Sequence, residues 1–295
     1  MMAQTMPIVT LSHVSHDHTP HPLSSIFIST QSMTIPRLGL GTRKMTDPLS
    51  TPDLVAAALD MGYRHIDTAH IYSNHHLIKQ GIQARGGNRQ DLFLASKLWM
   101  NMYQDPLTNL QKICDELGTT LDLVYLHRPS TPADHDTVLS QAQTLISSGL
   151  TKSIGISNFP PREYIRLHTH YPGLITAHQY EAHALLDQSD NLIWCTTNAI
   201  QPVAYSPFAH GHLFAKQWTT HIDAWCKKNG PTHAQVYLGY LLHLGYAVLP
   251  KASSVERLRE NLVSHDILLD DEILVILDRF PKTYRYCNPP FAQWE

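Results

Sequence analysis

From Ile35 onward, short apolar runs alternate with amphipathic stretches, and no long low-complexity linker interrupts them. The runs are Arg37–Gly41, Tyr63–Ile66, Leu92–Ala95, Leu121–Leu126, Ile154–Ile156, Leu174–Ala177, Pro202–Tyr205 and Tyr246–Leu249. Between them lie helical patterns, such as Leu54, Ala57, Ala58 and Met61 after a start at Ser50/Thr51. Leu110, Ile113, Cys114 and Leu117 form another, and Leu139, Ala142 and Leu145 a third. Strands that are apolar throughout, separated by helices, predict a parallel sheet buried on both faces. Two architectures satisfy this pattern: a doubly wound sheet and a closed eight-stranded barrel. The stretch from Met33 to Glu295 matches the ~250 residues typical of the barrel. A dinucleotide-binding sheet would also show GxGxxG after an early strand. Gly39-Leu40-Gly41 is the nearest candidate, and no glycine follows three residues further on. The expected fold is therefore α/β, a single-domain (β/α)8 TIM barrel over residues 33–280.

The two ends read differently from this middle. Residues 1–32 hold no Lys or Arg, so the charged start of a secretory signal is absent. His13, His16, His18 and His21, with Asp17 among them, invite a metal reading. The preferred reading is a mobile polar leader, because His-rich tracts are common near disordered ends. Accordingly, no metal ligand is assigned. Ile26-Phe27-Ile28 and Met33-Thr34-Ile35 are expected to pair as a hairpin over one end of the barrel. Residues 281–295 carry Tyr284, Tyr286, Phe291 and Trp294, and the aromatics suggest a tail folded over something apolar.

Composition excludes several classes. Lys plus Arg is 22 and Asp plus Glu is 25, so the electrostatic footprint of a nucleic-acid binder is missing. No apolar run reaches the roughly 18–20 residues that span a bilayer. The four cysteines are far apart and form no CxxC pair, which fits reduced thiols in the cytoplasm and not a disulfide framework.

In a barrel of this kind, chemistry sits at the C-terminal mouth of the strands. The second strand runs into Asp67, with Tyr72 in the loop beyond; the third runs into Lys97 and the fourth into His127. Any one of these alone is more often structural, since a strand-end Asp usually caps the next helix. Together they suit one reaction. A tyrosine has an ordinary pKa of about 10, too high for an efficient acid near neutrality. A neighbouring Lys97 ammonium is expected to lower it, with Asp67 holding that ammonium in place. His127 is positioned to donate a hydrogen bond to a carbonyl oxygen. Such a group protonates an oxygen as its carbon receives hydride.

At this point the sequence resembles the aldo-keto reductases, from Ile35 to Asn261. Gly62-Tyr63-Arg64-His65-Ile66-Asp67-Thr68-Ala69 with Tyr72 and Asn74 is similar to the first family signature. Ile154-Gly155-Ile156-Ser157-Asn158-Phe159 is similar to the second, and Leu249-Pro250-Lys251 with Arg257, Glu260 and Asn261 to the third. Ala95-Ser96-Lys97-Leu98-Trp99 and Tyr125-Leu126-His127 match the segments bearing the remaining catalytic residues. The nearest flavour is that of the bacterial diketogluconate and methylglyoxal reductases. The resemblance implies NADPH-dependent reduction of small aldehydes or ketones, with Asp67, Tyr72, Lys97 and His127 catalytic. It implies an extended NADP(H) contacted by Gly41, Thr42, Ser157, Asn158, Gln179, Tyr205, Ser206 and Phe208. Tyr205 is expected to stack on the nicotinamide. Lys251, Ser253, Ser254 and Arg257 are expected near the 2′-phosphate, and Glu260 and Asn261 near the adenine.

Several positions depart from the family. His75 stands where Glu is usual and Lys79 where Gly is usual; both are expected to alter packing and not chemistry. His178, Ala184 and Ala252 replace the usual Asn, Pro and Ser or Thr. Arg43 and Arg128 replace frequent aromatics, so with Trp99 and Trp294 they are assigned to the substrate pocket. Their guanidinium forks favour short polar or acidic carbonyls, such as keto-sugar acids or methylglyoxal. The partner expected is a small carbonyl substrate bound to a monomer, with no nucleic acid and no membrane. Two alternatives stand beside this reading. A metal-dependent barrel hydrolase uses His and Asp at the same rim, but no HxH follows the first strand. A non-catalytic nicotinamide sensor is compatible with the fold, since fold does not guarantee turnover.

Overall fold

The computed structural model describes residues 27–30, 33–86 and 88–289. The hairpin forms as expected, with β1 (Phe27–Thr30) antiparallel to β2 (Met33–Pro36) and Ile28 opposite Ile35. Eight parallel strands follow: β3 (Leu40–Gly41), β4 (His65–Asp67), β5 (Phe93–Leu98), β6 (Leu123–Leu126), β7 (Ile154–Ser157), β8 (Ile175–Glu181), β9 (Gln201–Tyr205) and β10 (Ala247–Leu249). They pair strictly in chain order. The seam between first and last closes through a parallel bridge of Leu38 with Val248. Gly39 N donates to Val248 O at 2.9 Å, Val248 N to Arg37 O at 2.7 Å and Gly41 N to Pro250 O at 3.1 Å. A Cβ on Gly41 would stand 2.8 Å from Leu249 O, so only glycine lets the two strands approach here.

Helices cover the outside of this barrel. They are α1 (Thr51–Met61), α2 (His75–Arg85), α3 (Pro106–Leu117), α4 (Pro132–Ser140), α5 (Ala142–Ser147) and α6 (Pro161–His170). The rest are α7 (Ser189–Thr197), α8 (Lys216–Asn229), α9 (His233–His243), α10 (Val255–Leu262) and α11 (Asp271–Asp278). Local sequence explains their limits. Pro52 opens α1, and Gly62 ends it in the left-handed region at φ 111°, its N–H returning to Ala58 O and Leu59 O. Asp105 caps α3, and Thr131 with Asp134 makes a reciprocal capping pair at α4. The single helix expected through Leu139 and Leu145 is two helices, because Gln141 leaves helical geometry at φ −92°, ψ 1°.

The period of two along each strand is what builds the site. Ile35, Phe93, Ala95, Leu123, Tyr125, Ala177, Val203, Ala247 and Leu249 pack together inside the barrel. Their neighbours Leu94, Val124 and Ile156 belong instead to the larger core against the helices, with Val55, Ile78 and Leu110. Two residues above an interior position, each strand presents its next inward side chain at the mouth. Lys97 therefore stands above Ala95, His127 above Tyr125, Gln179 above Ala177 and Tyr205 above Val203. Gly155 lies below Ser157 and leaves room for Tyr125, whose ring would be 2.7 Å from any Cβ there.

Candidate active site

The mouth of the barrel opens into a cavity of about 1040 Å³. Asp67, Tyr72, His127, Trp99, Arg43 and Arg128 line one part of it. Gly41, Thr42, Ser157, Asn158, Gln179, Tyr205, Ser206 and Phe208 line the middle, and Lys251, Arg257, Glu260 and Asn261 continue beyond. Sequence reasoning on eleven scattered segments thus converges on one cavity.

Lys97 does not face the cavity directly. It is buried behind Asp67, donating to Asp67 Oδ1 at 2.5 Å and to Thr68 O at 2.8 Å. The second Asp67 oxygen accepts from Gln179 Nε2 at 2.8 Å. A buried carboxylate and ammonium so paired fix each other's position. The Lys97 ammonium lies 5.6 Å from the centre of the Tyr72 ring. Tyr72 and His127 meet edge to face at 5.9 Å, and Trp99 meets His127 the same way at 5.0 Å.

The expected lowering of the Tyr72 phenol is corrected by this arrangement. Burial first, and then the Asp67 carboxylate, hold it above its ordinary value, with the Arg43 and Arg128 charges opposing. The Lys97 charge is engaged by Asp67, so the resting phenol keeps its proton. Burial, reinforced by Lys97, Arg128 and Arg43, pushes the His127 imidazole well below its ordinary value. It is therefore neutral, with one N–H, and Nδ1 has no hydrogen-bond partner. A neutral phenol and a neutral imidazole share one wall of the cavity.

Loops complete the wall. Thr42 Oγ1 donates to Asp67 O at 3.0 Å, and Asn74 Nδ2 donates to Thr42 O and Met45 O at 2.9 Å, tying the first two rim loops together. Asn158 takes a left-handed backbone at φ 64°. It accepts from the Tyr205 hydroxyl at 2.6 Å and donates to His127 O at 3.1 Å. Ser206, Ala209 and His210 also lie in the left-handed region, at φ 52°, 49° and 54°. Such strain in non-glycine residues costs about 1–3 kcal/mol each and clusters at ligand-binding loops.

Other positions singled out by the sequence stand apart from this lining. Ser253 and Ser254 do not line the cavity. Ser253 Oγ accepts from Arg257 Nη1 at 2.8 Å, and Ser254 caps α10 through Arg257 N at 3.4 Å, so both act on Arg257 and its helix. His178 points away from the cavity: as the residue before Gln179 it faces the helices, edge to face with Tyr164 at 5.2 Å and Tyr180 at 4.8 Å. Trp294 and Phe291 lie outside the described residues, as does the His-rich leader.

The cavity also holds residues that the strand pattern did not single out: Lys44, Ile71, Phe214, Tyr286 and Cys287. The last two belong to the described part of the C-terminal tail. Glu181, fully buried at the end of β8, fastens that tail. Its Oε1 accepts from Tyr286 N and its Oε2 from Cys287 N, each at 2.9 Å. His183 Nε2 lies 3.1 Å from Oε1.

The donor set suits a nicotinamide dinucleotide. Amide and hydroxyl groups of Ser157, Asn158 and Gln179 stand beside the Tyr205 ring, and cations at Lys251 and Arg257 stand where a phosphate would be balanced. Among the described residues, no helix is long and apolar enough to cross a membrane.

Known proteins point the same way. Residues 37–281 match the model of the Aldo/keto reductase family. Methylglyoxal reductase DkgB of Yersinia pestis is 32% identical over 265 residues, covering 87% of this chain and 97% of its own. The aldose reductase of Encephalitozoon cuniculi is 32% identical over 282 residues, covering 87% and 93%. Among solved structures, one provisionally named 2,5-diketo-D-gluconic acid reductase B superposes with a TM-score of 0.85 at 27% identity, covering 91% of this chain and 97% of its own. With an eight-stranded α/β barrel closed in chain order and a Tyr, Lys, Asp and His gathered at its mouth, the chain belongs to the aldo/keto reductase family.

Proposed function

We propose that the protein reduces small aldehydes or ketones to alcohols using NADPH, with Tyr72 as the general acid. The observation that carries this reading is the meeting of Tyr72 and His127 at one wall of the cavity, with the buried Lys97–Asp67 pair behind them and the Lys97 ammonium 5.6 Å from the Tyr72 ring centre. When bound, the nicotinamide supplies a hydride to the carbonyl carbon. The His127 N–H orients the carbonyl oxygen, and Tyr72 gives that oxygen its proton. The phenolate left behind has the Lys97 ammonium 5.6 Å from its ring centre, a positive charge that offsets part of the negative one.

Ser157, Asn158 and Gln179 are assigned to the carboxamide, Tyr205 to one face of the nicotinamide ring, and Lys251 and Arg257 to the 2′-phosphate. The Ser253 hydroxyl on Arg257 supports that last role by holding the guanidinium in place. Arg43 and Arg128 at the mouth favour carbonyls that carry a carboxylate or are otherwise short and polar. The relatives named for methylglyoxal and diketogluconate agree with this leaning. Four unpaired cysteines suit the cytoplasm.

Tyr72→Phe tests the assignment, because it keeps the ring and removes the proton. Cofactor affinity, read by quenching of protein fluorescence, should stay near that of the unaltered chain. Turnover should fall by about 10²–10⁴-fold, the range contributed by a positioned acid. Turnover close to that of the unaltered protein would remove Tyr72 from the role.

A further inference from the structure

On the outer side of the turn that carries Tyr72, three side chains from separate segments meet. His70 begins the turn His70–Tyr72, His75 begins α2, and Glu116 lies near the end of α3. His75 Nδ1 is 2.7 Å and His70 Nδ1 3.3 Å from the same carboxylate oxygen, Glu116 Oε2. All three ligand atoms lie within 4.8 Å of one another. From the geometry we infer that His70, His75 and Glu116 form a binding site for a divalent transition metal of the zinc class.

The chemistry and spacing both fit. Two imidazoles and a carboxylate are a known zinc donor set, with bonds of about 2.0–2.2 Å. Tetrahedral bonds of that length separate ligand atoms by roughly 3.3 Å, so small side-chain shifts bring the triangle to a metal's dimensions. The ring orientation of His75 is already fixed, because its other nitrogen, Nε2, lies 3.0 Å from Ser96 Oγ. A partner of this kind, holding the far nitrogen of a ligand imidazole, is the usual support of a metal site. His75 is 3% exposed while His70 and Glu116 are 28% and 33% exposed, so a metal has a route in and water can complete the coordination. Bound there, the metal fastens the Tyr72 turn to α2 and α3 from outside the cavity. The sequence does not announce the site, since Glu116 lies 41 residues beyond His75.

The test uses the full-length, untagged, chelator-stripped protein, titrated with Co2+ and then with Zn2+. Glu116→Gln and His70→Gln are compared with it; both positions are part-exposed, and circular dichroism checks that each variant folds. The histidines of the leader are present in all three proteins, so their contribution cancels. The unaltered protein should show a tetrahedral Co2+ absorption band that one equivalent of Zn2+ abolishes. In both variants the band should be lost and the affinity of that Zn2+ equivalent should fall at least tenfold. Absence of the band from the unaltered protein, or equal bands and equal Zn2+ affinity in all three, would overturn the inference and leave the cluster as an ion pair that braces the turn.

Discussion

His178 makes the protein sensitive to acid in a way that can be calculated. The side chain is fully buried, and neither ring nitrogen has a hydrogen-bond partner. Burial alone pushes its imidazole down to about 3, from 6.5 in the unfolded chain. The unfolded state therefore takes up the proton first, and stability is lost as pH falls from about 6.5 towards 3. Between pH 7 and pH 5, linkage with those two values gives a loss of about 2 kcal/mol from this residue alone. His178→Leu removes the titration while keeping a side chain of similar volume among Tyr164, Tyr180 and Trp194. Urea unfolding of both proteins at pH 7 and pH 5 gives the comparison. The variant's stability should fall by about 2 kcal/mol less over that interval than the unaltered protein's. His65, His127 and His135, which burial also lowers, titrate in both proteins and cancel. Parallel losses in the two proteins would show that His178 is protonated, or hydrated, in the folded state, and the reasoning would fail.

Two further expectations concern ligands. Arg257→Ala should weaken NADPH binding by about 5–50-fold, as expected for one charge-assisted bond, and change NADH by less than about twofold; equal losses for the two cofactors would make Arg257 a structural residue of α10. Arg128→Ala should lower kcat/KM for a carboxylate-bearing aldehyde by about 5–150-fold, equivalent to about 1–3 kcal/mol, and leave a matched neutral aldehyde nearly unchanged. Equal losses on both aldehydes would show that Arg128, whose Nη2 lies 3.4 Å from Cys287 Sγ, braces the tail instead.

The barrel was legible because burial on both faces leaves few polar positions in a strand before it reaches the mouth, so its apolar run stands out between amphipathic helices. Closure was less visible. β3 holds only Leu40–Gly41, and the expected residues Arg37 and Leu38 serve the seam with Val248 instead. Asp67, Tyr72 and His127 were legible because strand ends in this fold share a mouth. The protonation of Tyr72 was not, since proximity to Lys97 in sequence order says nothing of the Asp67 carboxylate 2.5 Å from that ammonium. Ser253 and Ser254 were placed by resemblance near a phosphate; their bonds to Arg257, one of them the cap of α10, carry no signature in the sequence. Glu181 escaped notice because a carboxylate inside an apolar strand has no local signature; its partners are backbone groups 105 and 106 residues away.

The manner in which Glu181 holds the tail sets the freedom of that wall. The two bonds are made to the main-chain N–H groups of residues 286 and 287, so the anchor reads the backbone and ignores which side chains are mounted on it. Any residue except proline offers the same N–H. The side chains at Tyr286, Cys287 and Asn288 border the cavity, and the two Glu181 bonds do not depend on which side chains stand at 286 and 287. Attachment and lining are thus separate: the barrel supplies a backbone socket through Glu181, while the side chains of residues 286–288 form part of the cavity wall.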